Sequence, residues 1–180
     1  YGQKFDLKKL RKRIAKKIYI IEDSAQSHFA YSCFSCQKNL NAICCQKERN
    51  DRYADISCYS FYPAKNIGAY GDGGLVSTTN NKFYKRLLSL RNLGFVKKHG
   101  HKLLGINSRL DTMQAAILNR KLKSILKFNQ TRRKIAKIYD NKLREVKEIE
   151  LTRTMPGSTR HLYVIRSKKS RSLDTKGEDG

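Results

Sequence analysis

Acidic residues are scarce in this sequence: 15 Asp and Glu stand against 39 Lys and Arg in 180 residues, a formal charge of +24. Tryptophan is absent, and the aromatic content is ten Tyr and seven Phe. Long apolar runs are missing too. The longest, Ile18-Tyr19-Ile20-Ile21, is far short of the ~20 residues that span a bilayer. The basic N-terminus has no apolar segment behind it of the kind that directs secretion, so the chain reads as cytoplasmic, with no membrane partner. At this length a compact chain removes roughly 70% of its unfolded surface from water, which supports one real core, and the size prior favours one domain.

Five cysteines (Cys33, Cys36, Cys44, Cys45, Cys58) are an odd number. Without a secretory signal, reduced thiols are expected rather than a disulfide framework. Four of them run C-x2-C-x7-C-C, and the adjacent Cys44-Cys45 fits poorly the two spaced pairs that zinc takes. No metal is expected, and the cluster reads as a surface loop with small thiols.

The excess charge draws the chain towards any polyanion, so non-specific nucleic-acid binding is the alternative function. Yet the basic residues alternate with apolar positions, as on solvated helix faces. No zinc-finger spacing, leucine-zipper heptads or RNA-recognition aromatic motif accompanies them.

Asp6 is placed to cap a helix with Leu7, Leu10 and Ile14 on one face. Ile18 to Ile21 predicts a short buried strand running into Glu22-Asp23-Ser24-Ala25-Gln26, which leaves a carboxylate where a strand stops. In open α/β sheets ligands gather there. Residues 31–54 show no period and read as a surface excursion. A second strand is expected from Ile56 to Phe61, ending before Pro63, and a third from Leu75 to Thr79. Phe83, Leu87 and Leu90 predict a helix from Lys82 that stops at Gly94. Ser108-Arg109-Leu110-Asp111 looks like a capping box before the apolar stripe Leu110, Met113, Ile117, Leu118, Leu122 and Ile125. A further helix is expected from Asn129 or Thr131, then a strand over Leu162 to Ile165, and a polar, frayed tail from Ser167.

Between the second and third strands lies the glycine-rich loop Lys65 to Gly74. It is not the phosphate loop of nucleotide triphosphatases, because its lysine precedes the glycines. Nor is it a dinucleotide fingerprint: Gly68, Gly71, Gly73 and Gly74 run G-x-x-G-x-G-G and lead into a strand. What remains is a lysine after one strand and a carboxylate at the end of another. That pairing suits pyridoxal chemistry, in which a lysine amine forms a Schiff base and an acid keeps the pyridine nitrogen protonated. The plain alternative is an ordinary solvated lysine.

Four blocks then carry a resemblance: Ile21-Glu22-Asp23-Ser24-Ala25-Gln26-Ser27-His28, Ser60 to Gly74, Leu90-Arg91-Asn92-Leu93-Gly94, and Gly105 to Ala116. In this order they resemble the DegT-type (DegT/DnrJ/StrS) sugar aminotransferases, over nearly the whole chain to about Arg166. The resemblance implies an α/β fold: a fragment of the fold type I pyridoxal-phosphate transferase large domain, a mostly parallel sheet flanked by helices, with the start of the small C-terminal domain. It divides the chain into a partial cofactor-binding domain over 1–128 with the cysteine-rich insertion 31–54, a connecting helix and small-domain start over 129–166, and a tail over 167–180.

By that resemblance Lys65 is the Schiff-base lysine and proton shuttle, and Asp23 pairs with the pyridine nitrogen. Ser60 binds the cofactor phosphate, Gln26 lies against the ring, and Asn107 reaches the phosphate held by the partner subunit of a homodimer. The alternatives are a helix cap for Asp23, a strand hydroxyl for Ser60 and an N-cap for Asn107; His28 reads as a pocket wall or a structural imidazole. The implied reaction moves an amino group from a donor such as glutamate to a nucleotide-linked keto sugar, feeding polysaccharide synthesis.

Departures from the family pattern are Phe29 for a usual glycine, Leu93 for a usual histidine, and the long segment 31–54. Tyr1-Gly2-Gln3 matches the middle of a family member. The chain is therefore expected to be a truncated copy, active or inactive, whose missing first half could be a separate chain and whose sheet exposes edges and apolar faces.

Overall fold

The computed structural model describes residues 1–30, 53–97, 100–155 and 157–168. Four of the cysteines, most of the 31–54 segment and most of the tail lie outside these residues.

Helix α1 (Leu7–Arg13) starts where the sequence predicts, with the Asp6 carboxylate accepting from the Lys9 amide at 3.0 Å. Its buried Leu7 packs with Ile20 and Ala54, bordered by Leu10, Ile14 and Tyr53. Arg11 crosses from this helix to Asp55 at 2.6 Å and donates to the carbonyls of Ile18 and Tyr53.

The first strand differs from expectation. Strand β1 covers Ile21–Asp23, not Ile18 to Ile21; Ile18 and Tyr19 are exposed, and of that stretch only Ile20 is buried. The cause is Asp55, whose carboxylate takes the Ile20 amide at 2.7 Å. A side chain thus occupies the donor that a neighbouring strand would need, and the ladder starts one residue later, with Ile21 opposite Ile56.

Strand β2 (Ile56–Ser60) runs parallel to β1, and β3 (Gly74–Ser77) runs antiparallel to β2. The sheet order is β1-β2-β3, so the central strand ends at Ser60 beside the end of β1 at Asp23. Ile21, Leu75 and Val76 are exposed apolar side chains on this sheet.

Helix α2 (Asn81–Arg91) is capped by Asn80, which accepts from the Lys82 and Phe83 amides. It stops as predicted: Gly94 has φ +78°, its amide donates to the Ser89 carbonyl at 2.8 Å, and a Cβ there would overlap the Leu103 carbonyl. A small hairpin, β4 (Phe95–Lys97) and β5 (Gly100–His101), follows.

Helix α3 (Thr112–Leu122) is capped by Asp111, which accepts from the Gln114 amide at 2.8 Å. The expected capping box does not form, because the Ser108 amide is turned back to the Arg91 carbonyl. Helix α4 (Ile125–Leu143) starts four to six residues before the predicted Asn129 or Thr131. The apolar stripe ending at Ile125 therefore spans two helices, and Ile125, Asn129 and Ala136 make the buried line of α4. Strands β6 (Ile149–Leu151) and β7 (Ile165–Ser167) pair antiparallel, so the last strand begins where the predicted one ended. The second core cluster, Ile67, Ala69, Leu118 and Ile125 with Phe61 against it, packs the glycine-rich loop onto α3 and α4. Among the described residues no helix is long and apolar enough to cross a membrane.

Candidate active site

Alternation along the strands sorts the residues at the end of the sheet. Glu22 pairs with Ser57 and Asp23 with Cys58 in the β1–β2 register. Side chains two apart on a strand share a face, so Asp23, Cys58 and Ser60 line one face while Glu22, Ser57 and Tyr59 line the other. Glu22 confirms the division: it is buried, accepts from Ser57 Oγ at 2.9 Å and pairs with Lys4 at 3.4 Å.

Asp23 is exposed, and its Oδ1 accepts from the Ala25 amide at 2.9 Å, a turn that fixes the carboxylate's direction. Burial, and then the Asp23 charge, push the Cys58 thiol up, so the cysteine of this face stays protonated and poorly nucleophilic. Ser60 Oγ accepts from the Tyr62 amide at 3.3 Å, which leaves its hydroxyl hydrogen available to an incoming anion.

From Ser60 the chain turns sharply. The Lys65 amide donates to the Tyr62 carbonyl at 2.8 Å and the Ala69 amide to the Phe61 carbonyl at 2.7 Å. Gly68 is required here, since a Cβ would strike the Pro63 backbone. Helix α3 clamps the loop: Lys121 Nζ donates to the Gly68 carbonyl at 2.6 Å, and Gln114 accepts from the Tyr70 amide at 2.7 Å. Lys65 is half-buried, and its amine makes no hydrogen bond or ion pair among the described residues.

Two imidazoles lie near that amine. His28, 3% exposed, is held at about 4: burial is the main cause, and His161, Lys65 and Lys4 push the same way against the Ser60 carbonyl. Burial, followed by Lys65 and Arg132, also lowers His161. Both rings are therefore neutral near pH 7. His28 stacks on Phe61 and leans on Tyr59. Gln26 is half-buried; its carbonyl accepts from Thr159 Oγ1 at 2.8 Å, while its Oε1 is buried with no hydrogen-bond partner among the described residues.

Asp23 and Ser60 are thus brought to one face, with Lys65 on the turn that follows. Asn107 is not joined to them. It pairs with Asn92 in an isolated bridge, and its Oδ1 accepts from Arg109 Nε at 3.0 Å, so it caps no helix. Sequence reasoning missed His161, Asn66, Asn129 and Thr159, all buried around the Lys65 loop. For Asn129 there was one signal: an amide four residues after Ile125, on the line that elsewhere carries apolar side chains.

The turn carrying Lys65 follows directly on the strand pair that ends at Asp23 and Ser60, and the fold is that of part of the fold type I pyridoxal-phosphate-dependent aminotransferases. The crystal structure of Streptomyces venezuelae DesV in complex with a ketimine intermediate aligns with a TM-score of 0.74 and 33% identity, over 94% of this chain and 43% of that one. That of NtdA from Bacillus subtilis with the bound cofactor PMP gives 0.72 and 27%, over 93% and 36%.

The chain belongs to the DegT/DnrJ/EryC1/StrS aminotransferase family, whose model matches residues 1–177. It is 33% identical to the dTDP-3-amino-3,4,6-trideoxy-alpha-D-glucose transaminase of Streptomyces venezuelae, over 99% of this chain and 46% of the relative. To the UDP-2-acetamido-2-deoxy-3-oxo-D-glucuronate aminotransferase of Pseudomonas aeruginosa it is 34% identical, over 81% and 37%. The chain spans less than half the length of these relatives.

Proposed function

We propose that this chain is the lysine-bearing part of a cytoplasmic, pyridoxal-phosphate-dependent aminotransferase that moves an amino group from an amino-acid donor such as glutamate to a nucleotide-linked keto sugar. The observation that carries the reading is the shared face of Asp23 and Ser60 at the ends of β1 and β2, with Lys65 on the next turn. The buried, unpartnered Oε1 of Gln26 in the same loop as Asp23 fits a site shaped for a further group.

When bound, the cofactor supplies an aldehyde to condense with an amine and a pyridinium ring that accepts electrons from the substrate carbon. Lys65 provides the amine and afterwards carries the proton at Nζ. Asp23 keeps the ring nitrogen protonated through its charge, and its turn to Ala25 prevents the carboxylate from swinging away. Ser60 donates its hydroxyl hydrogen to a phosphate oxygen. The neutral His28 and His161 add no positive charge of their own near the lysine. Asn107 would serve the phosphate of a partner subunit in a homodimer. The exposed Ile21, Leu75 and Val76 suit a covering half of the sheet, supplied by the rest of a full-length protein or by a separate chain.

Purified chain mixed with pyridoxal phosphate should develop an absorption band in the near violet, and borohydride should fix the cofactor to the peptide containing Lys65. Lys65→Ala should abolish both. A folded wild-type chain that takes up no cofactor, alone or with the missing half co-expressed, removes the reading.

The charge of +24 supports one second reading, a non-catalytic polyanion binder. It is the weaker, because several cations have duties inside the fold: Lys4 pairs with Glu22, Arg11 with Asp55, Arg160 with Asp140, and Lys121 holds Gly68. Retention on nucleic acid that falls steeply with salt, in a chain indifferent to cofactor, would favour it.

A further inference from the structure

Asn129 sits in the second turn of α4, 1% exposed, on the line between Ile125 and Ala136. A buried amide is costly unless both of its ends are satisfied, and here both are. Its Nδ2 donates to the His28 carbonyl at 3.0 Å, and its Oδ1 accepts from Asn66 Nδ2 at 2.7 Å. The orientation is forced, since a flipped amide would set oxygen against the His28 carbonyl and N–H against N–H at Asn66. His28 belongs to the loop that begins at Asp23, and Asn66 is the neighbour of Lys65. Thr159, fully buried, repeats the connection: its Oγ1 donates to the Gln26 carbonyl at 2.8 Å, and its own carbonyl accepts from Asn66 at 3.4 Å.

We propose that Asn129 is a positioning residue, a strut whose single amide fixes the spacing between the loop carrying Asp23 to His28 and the loop carrying Lys65. Packing alone would not select an amide here, because a leucine fills the same volume without needing two partners. Asn129 acts on the lysine through Asn66, and Thr159 is its auxiliary brace, which ties the segment before β7 to the same two loops. The inference deepens the aminotransferase reading and rests on its choice of Lys65 and Asp23, but it makes a claim about geometry that can be tested without cofactor.

The test is competitive labelling of the lysine amines of the full chain with a trace of acylating reagent over a range of pH, each lysine read by peptide mass spectrometry. Exposed lysines such as Lys8 and Lys12 serve as internal standards. In Asn129→Leu, and in Asn129→Asp, which turns an acceptor towards the His28 carbonyl, the rate at Lys65 relative to the standards should change by roughly three- to tenfold, the range expected for losing one buried hydrogen bond. The helical circular dichroism should be retained. The constant for pyridoxal phosphate condensing with Lys65 should weaken by a similar factor.

Folded variants in which Lys65 labels as in the wild type overturn the strut. Should the Asn129 variants not fold, Asn66→Ala, which removes the loop end of the same bond, decides the matter by the same reading. If wild-type chain fails to condense with pyridoxal phosphate, the aminotransferase reading falls, while the labelling still decides whether Asn129 sets the lysine's position.

Discussion

Glu22 and Asp23 are adjacent in sequence and face opposite sides of the sheet. Glu22 is buried against Ser57 and Lys4, while Asp23 stands exposed on the face it shares with Ser60. Two isosteric substitutions should therefore separate. Glu22→Gln leaves Lys4, whose side chain is 9% exposed, without its counter-ion, and should cost about 3 kcal/mol of unfolding free energy. Asp23→Asn keeps an oxygen for the Ala25 amide and lies in solvent, so stability should stay within about 0.5 kcal/mol while the cofactor band is lost. Urea unfolding and absorbance spectra of the two variants check the pair; equal loss of stability would show that the faces are misassigned.

The elements that could be read in advance were those with a local signal. Asp6 before an apolar 3-4 spacing gave the cap of α1, and Gly94 after Phe83, Leu87 and Leu90 gave the end of α2, because capping involves residues only a turn apart. The start of β1 could not be read, since it depends on Asp55, 35 residues away, taking the Ile20 amide. The start of α4 was hidden because the apolar stripe of α3 runs on into it. At the site, Asp23, Ser60 and Lys65 stood out through their motifs, whereas Asn129, His161 and Thr159 are polar residues whose importance comes only from where the chain folds back.

His28 should make stability depend on pH. Free histidine takes up a proton near 6.5, while His28 in the folded chain does so only near 4. Between these values the unfolded chain binds more protons, so stability is full above about pH 6.5, falls as the pH drops, and levels off below about 4, a loss of about 3 kcal/mol. His161, lowered for the same main reason, adds in the same direction. Asp55, lowered from 3.8, loses its contribution only at pH values below this window. Urea midpoints measured from pH 4 to 7 should slope steeply in the wild type and flatten in His28→Gln.

Phe29 occupies a backbone conformation made for glycine. Its φ is +58°, it closes the turn in which the Ala30 amide meets the Ser27 carbonyl, and its ring is 52% exposed. A bulky residue there costs about 1–2 kcal/mol, and little apolar burial offsets it. Phe29→Gly adds about 0.5–1 kcal/mol of unfolded-chain entropy to overcome, so the net gain should be up to about 1 kcal/mol, read as a rise in Tm of several degrees. A lower Tm would mean that the ring packs against something worth more than the strain.

Tyr163 should ionise only at high pH. Its hydroxyl donates to Asp140 Oδ1 at 2.8 Å, while Arg160 pairs with the other carboxylate oxygen at 3.1 Å. Burial comes first in pushing the phenol up to about 12, followed by the hydrogen bond and charge of Asp140, with Arg160 opposing. Asp140→Asn removes the charge but keeps an acceptor, so it should bring Tyr163 down towards the ordinary tyrosine range. The readout is the ultraviolet phenolate absorbance of each protein titrated with base, with Tyr163→Phe assigning the late step. Tyr163→Phe should also cost about 1 kcal/mol, since it leaves the Asp140 oxygen without its donor. If the late phenolate step persists in Tyr163→Phe, the group belongs to another tyrosine and the Asp140 contact is not what holds it.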